Sequence, residues 1–468
     1  MMQDAKKRTR AIASLFLLAV LVLLALWIRT TPLASEWRRA ALDTFFLGFL
    51  LLLAYGAATM LSSLRIPLIS GYIFAGMIVG PHVTGLLSME TVLKLRVVDD
   101  LALSFIAMTA GASLHLAFLR RRAAAMALNI SFLTIFVFTL VFGFALATGS
   151  LFQVTRSLSH VELVTIASFL GVIAVARSPS SAIAIISESR ASGVFTDTVL
   201  GVTIAMDVLI IMLFTLEMAI ANLLVFGSGV HGYALGAVIG QMIVSLALGY
   251  LIGKGITFYI RKIGRDLPLF LLFMAFGIVK ASFWLDQIMQ THFTLSLQLE
   301  PLLVCISAGF TVRNFSSQGP RFLASLERFS LPIFVLFFSL AGASLNLEAL
   351  KMTWPIATAL ALARGAGIFL ATWLAGTIMR DPPSHNRVAW MAYLTQAGVA
   401  IGLAQLAERQ FQGIGVYLNT IVLAVIALNQ IIGPITFKAV LERVGEAGGR
   451  GQKAGPISTP GSGDSLLL

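Results

Sequence analysis

Apolar runs of about 20 residues recur along this chain from one end to the other, and no other feature restricts its fold as strongly. A lipid hydrocarbon core is about 30 Å thick and needs roughly 20 helical residues per crossing. Because no water is present there to bind free backbone groups, such a chain crosses the core as α-helices. The sequence therefore predicts an all-α polytopic membrane protein with about 13 to 14 transmembrane helices.

Fourteen apolar runs are the candidate spans, and each boundary is soft by a few residues. They are 11–28, 44–63, 68–86, 99–118, 124–148, 162–187, 197–225, 232–258, 267–284, 296–313, 330–350, 355–378, 388–407 and 415–440. The first run follows a basic cluster, so it is either a retained anchor helix or a secretory signal peptide.

The charge distribution predicts the orientation of these spans. The net charge of +12 comes from basic residues in short loops, which does not indicate a nucleic-acid partner. With a cytoplasmic N-terminus, most of the 33 Lys and Arg residues fall on the cytoplasmic side, including Arg120–Arg122 and Arg261–Arg265. The positive-inside rule then places both termini in the cytoplasm. The short loops lead us to expect a bacterial inner membrane.

An internal repeat links residues 110–120 (AGASLHLAFLR) to residues 341–351 (AGASLNLEALK). Chance similarity between small, apolar segments is the alternative interpretation. The two copies end the fourth and eleventh runs, so they cross the membrane in opposite directions. Inverted repeats of this kind are the architecture of many secondary transporters.

The repeat predicts a division of the chain into five parts. They are an N-terminal extra helix or signal anchor (1–43), a first six-helix repeat (44–225), a linker helix (226–266), a second, inverted six-helix repeat (267–443) and a disordered cytoplasmic tail (444–468). In transporters built this way, the substrate site lies near the bilayer midplane beside interrupted helices.

Asp207 lies near the middle of the run 197–225, at a depth where a carboxylate costs several kcal/mol unless something offsets it. A structural ion pair with Arg177 or Arg364 is one explanation. The other is a transport site, since a proton and a small cation can compete for the same oxygens. An occupied site is neutral and can cross, whereas an empty one is held back by its desolvation cost.

Polar residues interrupt the fifth helix of each predicted repeat. The first interruption is Arg177–Ser181, and its counterpart is Thr395–Gly398. Proline removes one backbone donor, and nearby hydroxyl and amide groups can bind the exposed backbone. A simple kink would explain either interruption alone; together they predict two broken helices that cross at mid-membrane. The predicted helix breaks are Pro179, Thr395, Gln396 and Gly398, and the predicted ion or proton ligands are Asp207, Ser178, Ser180 and Ser181.

Two arginines lie within predicted spans and require acceptors, because guanidinium stays charged when buried. We expect Arg364 to compensate either Asp207 or the carbonyls of the broken helices. For Arg177 two roles stay open: neutralising a helix C-terminal end or reaching a water-filled cavity. Glu300 and Lys280, which we both place near the outer surface, could pair with each other.

Several segments, taken together, carry a resemblance to a known family. They are RIPLISGYIFAGMIVGPH (65–82), the two AGASL copies, ARSPSSAIAIISE (176–188), LGVTIAMDVLII (200–211), LARGAGI (362–368) and LTQAGVAIGLA (394–404). In this order and spacing, over about residues 44–440, the chain resembles the monovalent cation/proton antiporter superfamily. The similarity is greatest to the branch that contains Kef-type potassium efflux systems and related sodium/proton exchangers.

The resemblance implies a transporter that exchanges Na⁺ or K⁺ for H⁺ and needs no cofactor. It maps the ion-binding carboxylate to Asp207 and the buried basic residue to Arg364. It also implies a core formed by the last three helices of each repeat, which moves against a scaffold that dimerises. Met206 stands where relatives carry Asp, Asn or Gln, and this difference favours electroneutral one-for-one exchange.

The sequence is also compatible with other functional classes. A gated cation channel or a transport-inactive sensor on the same scaffold is the alternative to exchange, and Met206 and Arg177 keep it open. A membrane enzyme is disfavoured because the runs contain too few charged residues for a catalytic cluster. The expected partners are H⁺, Na⁺ or K⁺, the lipid bilayer and a second copy of the chain.

Overall fold

The computed structural model describes Val20 and residues 35–62, 66–149, 159–226, 233–293, 299–396, 398–411 and 414–448. Apart from Val20, the first predicted span (11–28) lies outside the described residues. The predicted tail does so beyond residue 448.

The described residues form sixteen α-helices and one 3₁₀ turn, with no strand, so the predicted all-α class is confirmed. In chain order the helices are α1 (Ser35–Ser62), α2 (Leu68–Val79), α3 (Met89–Lys94), α4 (Arg96–Ser113), α5 (Leu116–Thr148), α6 (His160–Val175), α7 (Pro179–Ser189), α8 (Val194–Phe226), α9 (Tyr233–Lys262), α10 (Leu267–Phe293), α11 (Pro301–Asn314), α12 (Gly319–Ala343), α13 (Leu347–Ile378), α14 (Pro383–Asn386), α15 (Gly398–Gln410) and α16 (Ile414–Arg443). The 3₁₀ turn, Ala389–Tyr393, precedes α15.

Seven helical segments of the described chain are long and apolar enough to cross a membrane. They are Leu116–Thr148, His160–Ser189, Val194–Asn222, Ile239–Lys262, Gly319–Ala343, Leu347–Ile378 and Ile414–Arg443. Shorter apolar helical segments lie at Gly48–Ser62, Leu68–Val79, Leu101–Ser113 and Leu267–Ser282. The chain is therefore a multi-pass membrane protein.

Two of the predicted spans are shorter as helices than the apolar runs suggested. The run 68–86 contains helix α2, which has 12 residues and ends at Val79 before Gly80 and Pro81. The run 296–313 contains α11, which has 14 residues and begins at Pro301. Proline is suited to a first helical turn and cannot continue a helix that reaches it, so both boundaries follow from local backbone chemistry.

The helices pack as two bundles. Bundle A contains α1–α4 and α9–α12, and bundle B contains α5–α8 and α13–α16. The most extensive helix pairings, such as α4 with α11 and α5 with α13, all lie within a bundle. Contacts between the bundles are smaller and involve α4 with α7, α8 with α9, and α2 with α7 and α16.

The two AGASL copies occupy matching places in bundle A. Each copy ends a helix, α4 or α12, shortly before the next helix begins. A Cβ on Gly111 would collide with the backbone of Ile306 on α11, and a Cβ on Gly342 would collide with the backbone of Ile73 on α2. The same glycine-dependent backbone contact is thus made twice, once by each copy, and close helix approach explains the small residues.

We expect Gly76→Ala to destabilise the protein. Gly76 packs against the Ser339 backbone on α12, so the added methyl group collides with a carbonyl that cannot rotate away. Overpacking of this kind costs about 1–3 kcal/mol. The melting temperature of detergent-purified protein measures the effect. The matched control is Gly277→Ala on α10, where a Cβ meets nothing within 4 Å; equal melting temperatures for the two variants would contradict the proposed close contact.

Candidate functional site

The first broken helix interrupts bundle B between α6 and α7. Helix α6 ends at Val175, Ala176 and Ser178 have extended backbone conformations, and α7 begins at Pro179. Proline disfavours a helical conformation at the preceding residue, which ends one helix, and it fits the first turn of the next. The Ser178 hydroxyl accepts a hydrogen bond from the Ser181 amide at 3.2 Å and so caps α7.

The second broken helix lies between the 3₁₀ turn and α15. The chain leaves the turn after Tyr393, Leu394–Gln396 have no regular structure, and α15 begins at Gly398. Thr395 packs closely against Gly433 of α16, where a side chain would collide with its backbone. Leu394, Thr395 and Gln396 are all buried, so their backbone groups need partners inside the protein.

Arg364 joins the two broken helices. This fully buried guanidinium, on α13, donates from Nε to the carbonyl of Ala174 at 2.9 Å and from Nη2 to the carbonyl of Ala176 at 3.1 Å. Its Nη1 donates to the carbonyl of Leu394 at 2.9 Å. All three nitrogens are used on backbone carbonyls, which is the second of the two roles that the sequence left open for Arg364.

Gln396 makes a second connection across the same crossing. Its Nε2 donates to the carbonyl of Ile173 near the end of α6, at 3.0 Å. Its Oε1 accepts a hydrogen bond from Nδ2 of Asn429 on α16, at 2.9 Å. The amide is therefore fixed on both sides, and it holds the second break against the first.

Arg177 lies beside this crossing and is also fully buried. Its Nη1 donates to the carbonyls of Ala174 and Ala176, both at 3.1 Å, at the C-terminal end of α6. This end carries the negative pole of the helix, so a guanidinium is well placed there. Arg177 also lines a cavity, so which of its two predicted roles applies stays a prediction.

Asp207 is buried on α8, with only 8% of its surface exposed. Its Oδ1 has no hydrogen-bond partner within the described part of the chain. The ion pairs found among the described residues join other groups and leave Asp207 out. Glu217, on the same helix, differs because its carboxylate accepts a hydrogen bond from the Ser168 hydroxyl. Asp207 thus keeps a carboxylate oxygen available.

Asp207 lies at the junction of two cavities between the bundles. One, of about 220 Å³, is lined by α4, α7 and the first break and includes Ser178 and Ser180; we call it the Ser178 cavity. The other, of about 310 Å³, extends along α8 toward its Phe226 end and includes Glu300; we call it the Glu300 cavity. Asp207 and three apolar residues line both: Leu302, Ile306 and Val399.

The predicted site residues therefore fall into two places. Asp207, Arg177, Ser178, Pro179 and Ser180 line the Ser178 cavity. Ser181 lies behind Ser178, whose hydroxyl donates to Ser181 Oγ at 2.8 Å. Arg364 and Gln396 lie together at the crossing, beside a cavity of only about 20 Å³.

Comparison with known proteins places this architecture in a family. The model of the family "Sodium/hydrogen exchanger, transmembrane" matches residues 47–443. The chain belongs to the sodium/hydrogen exchanger family. This is a family of transporters that exchange cations for protons, and it is not an enzyme class. No curated protein sequence matches the chain.

Solved structures of a sodium/proton antiporter have the same fold as this exchanger-family chain. Both are of MjNhaP1 from Methanocaldococcus jannaschii, one of them at pH 8. The structure at pH 8 has 18% sequence identity to this chain and a TM-score of 0.60. The match covers 86% of this chain and 95% of the MjNhaP1 chain. The electron-microscopy structure is 16% identical, covers 86% and 96%, and has a TM-score of 0.65.

The structure of this exchanger-family chain adds two residues that the sequence analysis did not place at the site. Asn429 binds Gln396, and its only signal in the sequence was an amide inside an apolar run. Glu300 lines a cavity with Asp207 instead of pairing with Lys280, whose Nζ lies 5.4 Å from the ring centre of Phe276. No local sequence pattern brings residues 207 and 300 together; only the packing of α8 near α11 does.

We expect Arg364→Ala to reduce the yield of folded exchanger or to shift its pH optimum. The substitution removes three buried hydrogen bonds. The carbonyls of Ala174 and Ala176 still accept from Arg177, whereas that of Leu394 loses the donor found for it among the described residues, and a buried carbonyl without a donor costs about 1–3 kcal/mol. Size-exclusion chromatography of the detergent-solubilised protein measures the yield, and vesicle assays measure the pH profile. The control is Arg328→Ala, at an exposed position on α12. Wild-type yield together with a wild-type pH profile for Arg364→Ala would refute the compensating role.

Proposed function

We propose that this protein is a secondary active transporter that exchanges Na⁺ or K⁺ for H⁺, with the cation and the proton competing for Asp207. One observation carries the proposal. Asp207 is a buried carboxylate with an unpartnered oxygen, at the junction of two cavities between two helical bundles. A carboxylate kept only for stability is expected to have its oxygens paired.

An unneutralised charge is costly in the interior of this protein. A buried carboxylate without a counterion is strongly destabilised, and either a bound proton or a bound alkali cation removes most of that cost. With an ion bound, Asp207 can become accessible from the other side of the membrane, whereas the empty, charged site disfavours that movement. Coupled exchange follows because the two ions use the same oxygens in turn.

The surroundings of Asp207 supply further ligands for a cation. Ser180 lines the same cavity, in the first turn of α7, and Val399 brings the first turn of α15 to it. Two helix N-terminal ends near the carboxylate provide partial positive charge that favours its ionised form. Ser178 is largely committed to capping α7, so Ser180 is the better candidate ligand, with Ser181 in a supporting position behind Ser178.

The transport movement that we propose is a displacement of bundle B against bundle A. The two cavities lie between the bundles, and Asp207 belongs to bundle B. Beyond the Ser178 cavity, Glu188 of α7 forms a hydrogen bond between the two bundles. Its Oε1 accepts hydrogen bonds from the Leu68 amide of α2 and from Nζ of Lys438 of α16, both at 2.9 Å. This contact must break before an ion can leave on that side.

The architecture that we propose for this movement is a pair of inverted six-helix repeats, 44–225 and 267–443. The matching glycine contacts of Gly111 with Ile306 and of Gly342 with Ile73 support it. A two-fold relation within the membrane plane would generate the second of these contacts from the first. We also propose a homodimer in a bacterial inner membrane with both termini in the cytoplasm, in agreement with the family resemblance and the basic loops.

We expect Asp207→Asn to abolish exchange, because an amide can neither release a proton nor attract a cation. The measurement is the recovery of a quenched pH dye in everted vesicles after Na⁺, K⁺ or Li⁺ is added across an imposed proton gradient. Asp266→Asn is the matched control, since Asp266 is exposed and asparagine tolerates its left-handed backbone. Dye recovery that survives in Asp207→Asn would remove Asp207 from the mechanism. Ion current without proton movement would favour the alternative, a gated cation channel, and absence of any transport by the wild type would favour a sensor.

We also expect exchange to be electroneutral. Met206 is fully buried beside Asp207, so α8 offers one carboxylate at this depth and neutralisation by one monovalent ion suffices. The exchange rate in proteoliposomes should not change when a potassium diffusion potential is imposed at constant pH. For Na⁺ exchange, valinomycin sets that potential. A rate that rises or falls with the potential would show net charge movement and contradict the one-for-one stoichiometry.

A further inference from the structure

Glu300 faces the same cavity as Asp207 from the opposite bundle. Glu300 immediately precedes α11 of bundle A, and Asp207 lies on α8 of bundle B. Both line the cavity of about 310 Å³ that lies along α8 from Asp207 to Thr215. The two acidic groups are therefore joined by a continuous space that crosses the boundary between the bundles.

The position of Glu300 is fixed through its backbone. Its amide donates to Ser245 Oγ of α9 at 3.1 Å, and its carbonyl accepts from the Val304 amide at 3.1 Å, in the first turn of α11. Aspartate is a common N-cap residue and glutamate is not, and the Glu300 side chain makes no hydrogen bond to the first amides of α11. No hydrogen bond or ion pair to its carboxylate is found among the residues that the structure describes. The carboxylate therefore does not stabilise this part of the fold through such a contact.

The other residues that line the Glu300 cavity indicate which ligand it can hold. It is mostly apolar, with Thr215 and Gln241 as further polar residues, and its charged lining groups are Asp207 and Glu300. A cleft with charges of one sign concentrates ions of the other sign. Its volume holds on the order of ten water molecules. The cavity therefore suits a partly hydrated monovalent cation, and the unpartnered oxygen of the buried Asp207 lies at its inner end.

We propose that Glu300 is a second, transient binding residue for the transported cation, located between Asp207 and the aqueous entrance of the Glu300 cavity. The proposal rests on the exchange function proposed above. Because the two carboxylates belong to different bundles, displacement of bundle B separates them. Glu300 thus assists binding from one side of the membrane only, the external side in the orientation given above.

The test compares cation affinity from the two faces of the membrane. Exchange is measured in right-side-out and in everted vesicles as a function of Na⁺ or K⁺ concentration, for wild type and Glu300→Gln. Loss of the carboxylate is expected to raise the KM for external cation about tenfold, the equivalent of about 1.4 kcal/mol, and to leave the KM for cytoplasmic cation unchanged. Because KM does not depend on the amount of protein, a lower yield of the variant does not obscure the result.

Two further variants serve as controls. Glu300→Asp keeps the charge and should retain a KM near that of wild type on both faces. Glu348→Gln removes an exposed acid at the start of α13, on the same predicted face, and should change neither KM. An external KM unchanged in Glu300→Gln, or an equal rise on both faces, would overturn the proposed one-sided role.

The same experiment separates this inference from the proposed function. Asp207→Asn is assayed alongside, and loss of exchange in that variant supports the function whatever Glu300→Gln shows. If Asp207→Asn still exchanges, the proposed function itself fails. If Asp207→Asn is inactive and Glu300→Gln has wild-type affinity on both faces, only the role of Glu300 fails.

Discussion

The interaction on which the rest of this structure depends is the binding of backbone carbonyls by Arg364. Two helices stop within the protein interior, and a membrane offers no water to the carbonyls that they expose. The Arg364 guanidinium binds carbonyls of both breaks. Arg177 donates to two of the same carbonyls, those of Ala174 and Ala176, and Gln396 binds a third at the end of α6, that of Ile173. A lysine could not serve in the same way, because only arginine presents a planar set of donors that spans several acceptors.

In this arrangement the arginines and Asp207 have different surroundings. All three nitrogens of Arg364 and Nη1 of Arg177 donate to carbonyls at the two breaks, and neither arginine forms an ion pair with Asp207 in the described part of the chain. The N-terminal ends of α7 and α15 face the cavities instead, where partial positive charge supports an anion without occupying its oxygens. Asp207 is buried, and its Oδ1 has no hydrogen-bond partner among the described residues, as the proposed exchange of a proton for a cation requires. A direct contact with either arginine would have occupied that oxygen.

Features that depend on local chemistry could be predicted from the sequence. Placing a charged side chain in the hydrocarbon core is costly, and this identified Asp207, Arg177 and Arg364. Pro179 identified the first break, because proline is unfavourable inside a helix. The sequence could not choose the partner of Arg364, since residues 174, 364 and 394 meet only through tertiary packing. The shortness of α2 and α11 was missed because hydropathy does not register helix ends within an apolar run. The cavity that Glu300 shares with Asp207 was missed because the separation of the two residues along the chain says nothing about a shared cavity.

The most direct test of the central claim is proton release when a cation binds. Purified protein in weakly buffered detergent solution is mixed with Na⁺ or K⁺, and a pH-indicator dye reports the protons set free. If the two ions share Asp207, cation binding releases at most one proton per chain, the release is saturable, and Asp207→Asn releases none. Cation binding without proton release, or equal release from Asp207→Asn, would contradict a site that the two ions occupy in turn.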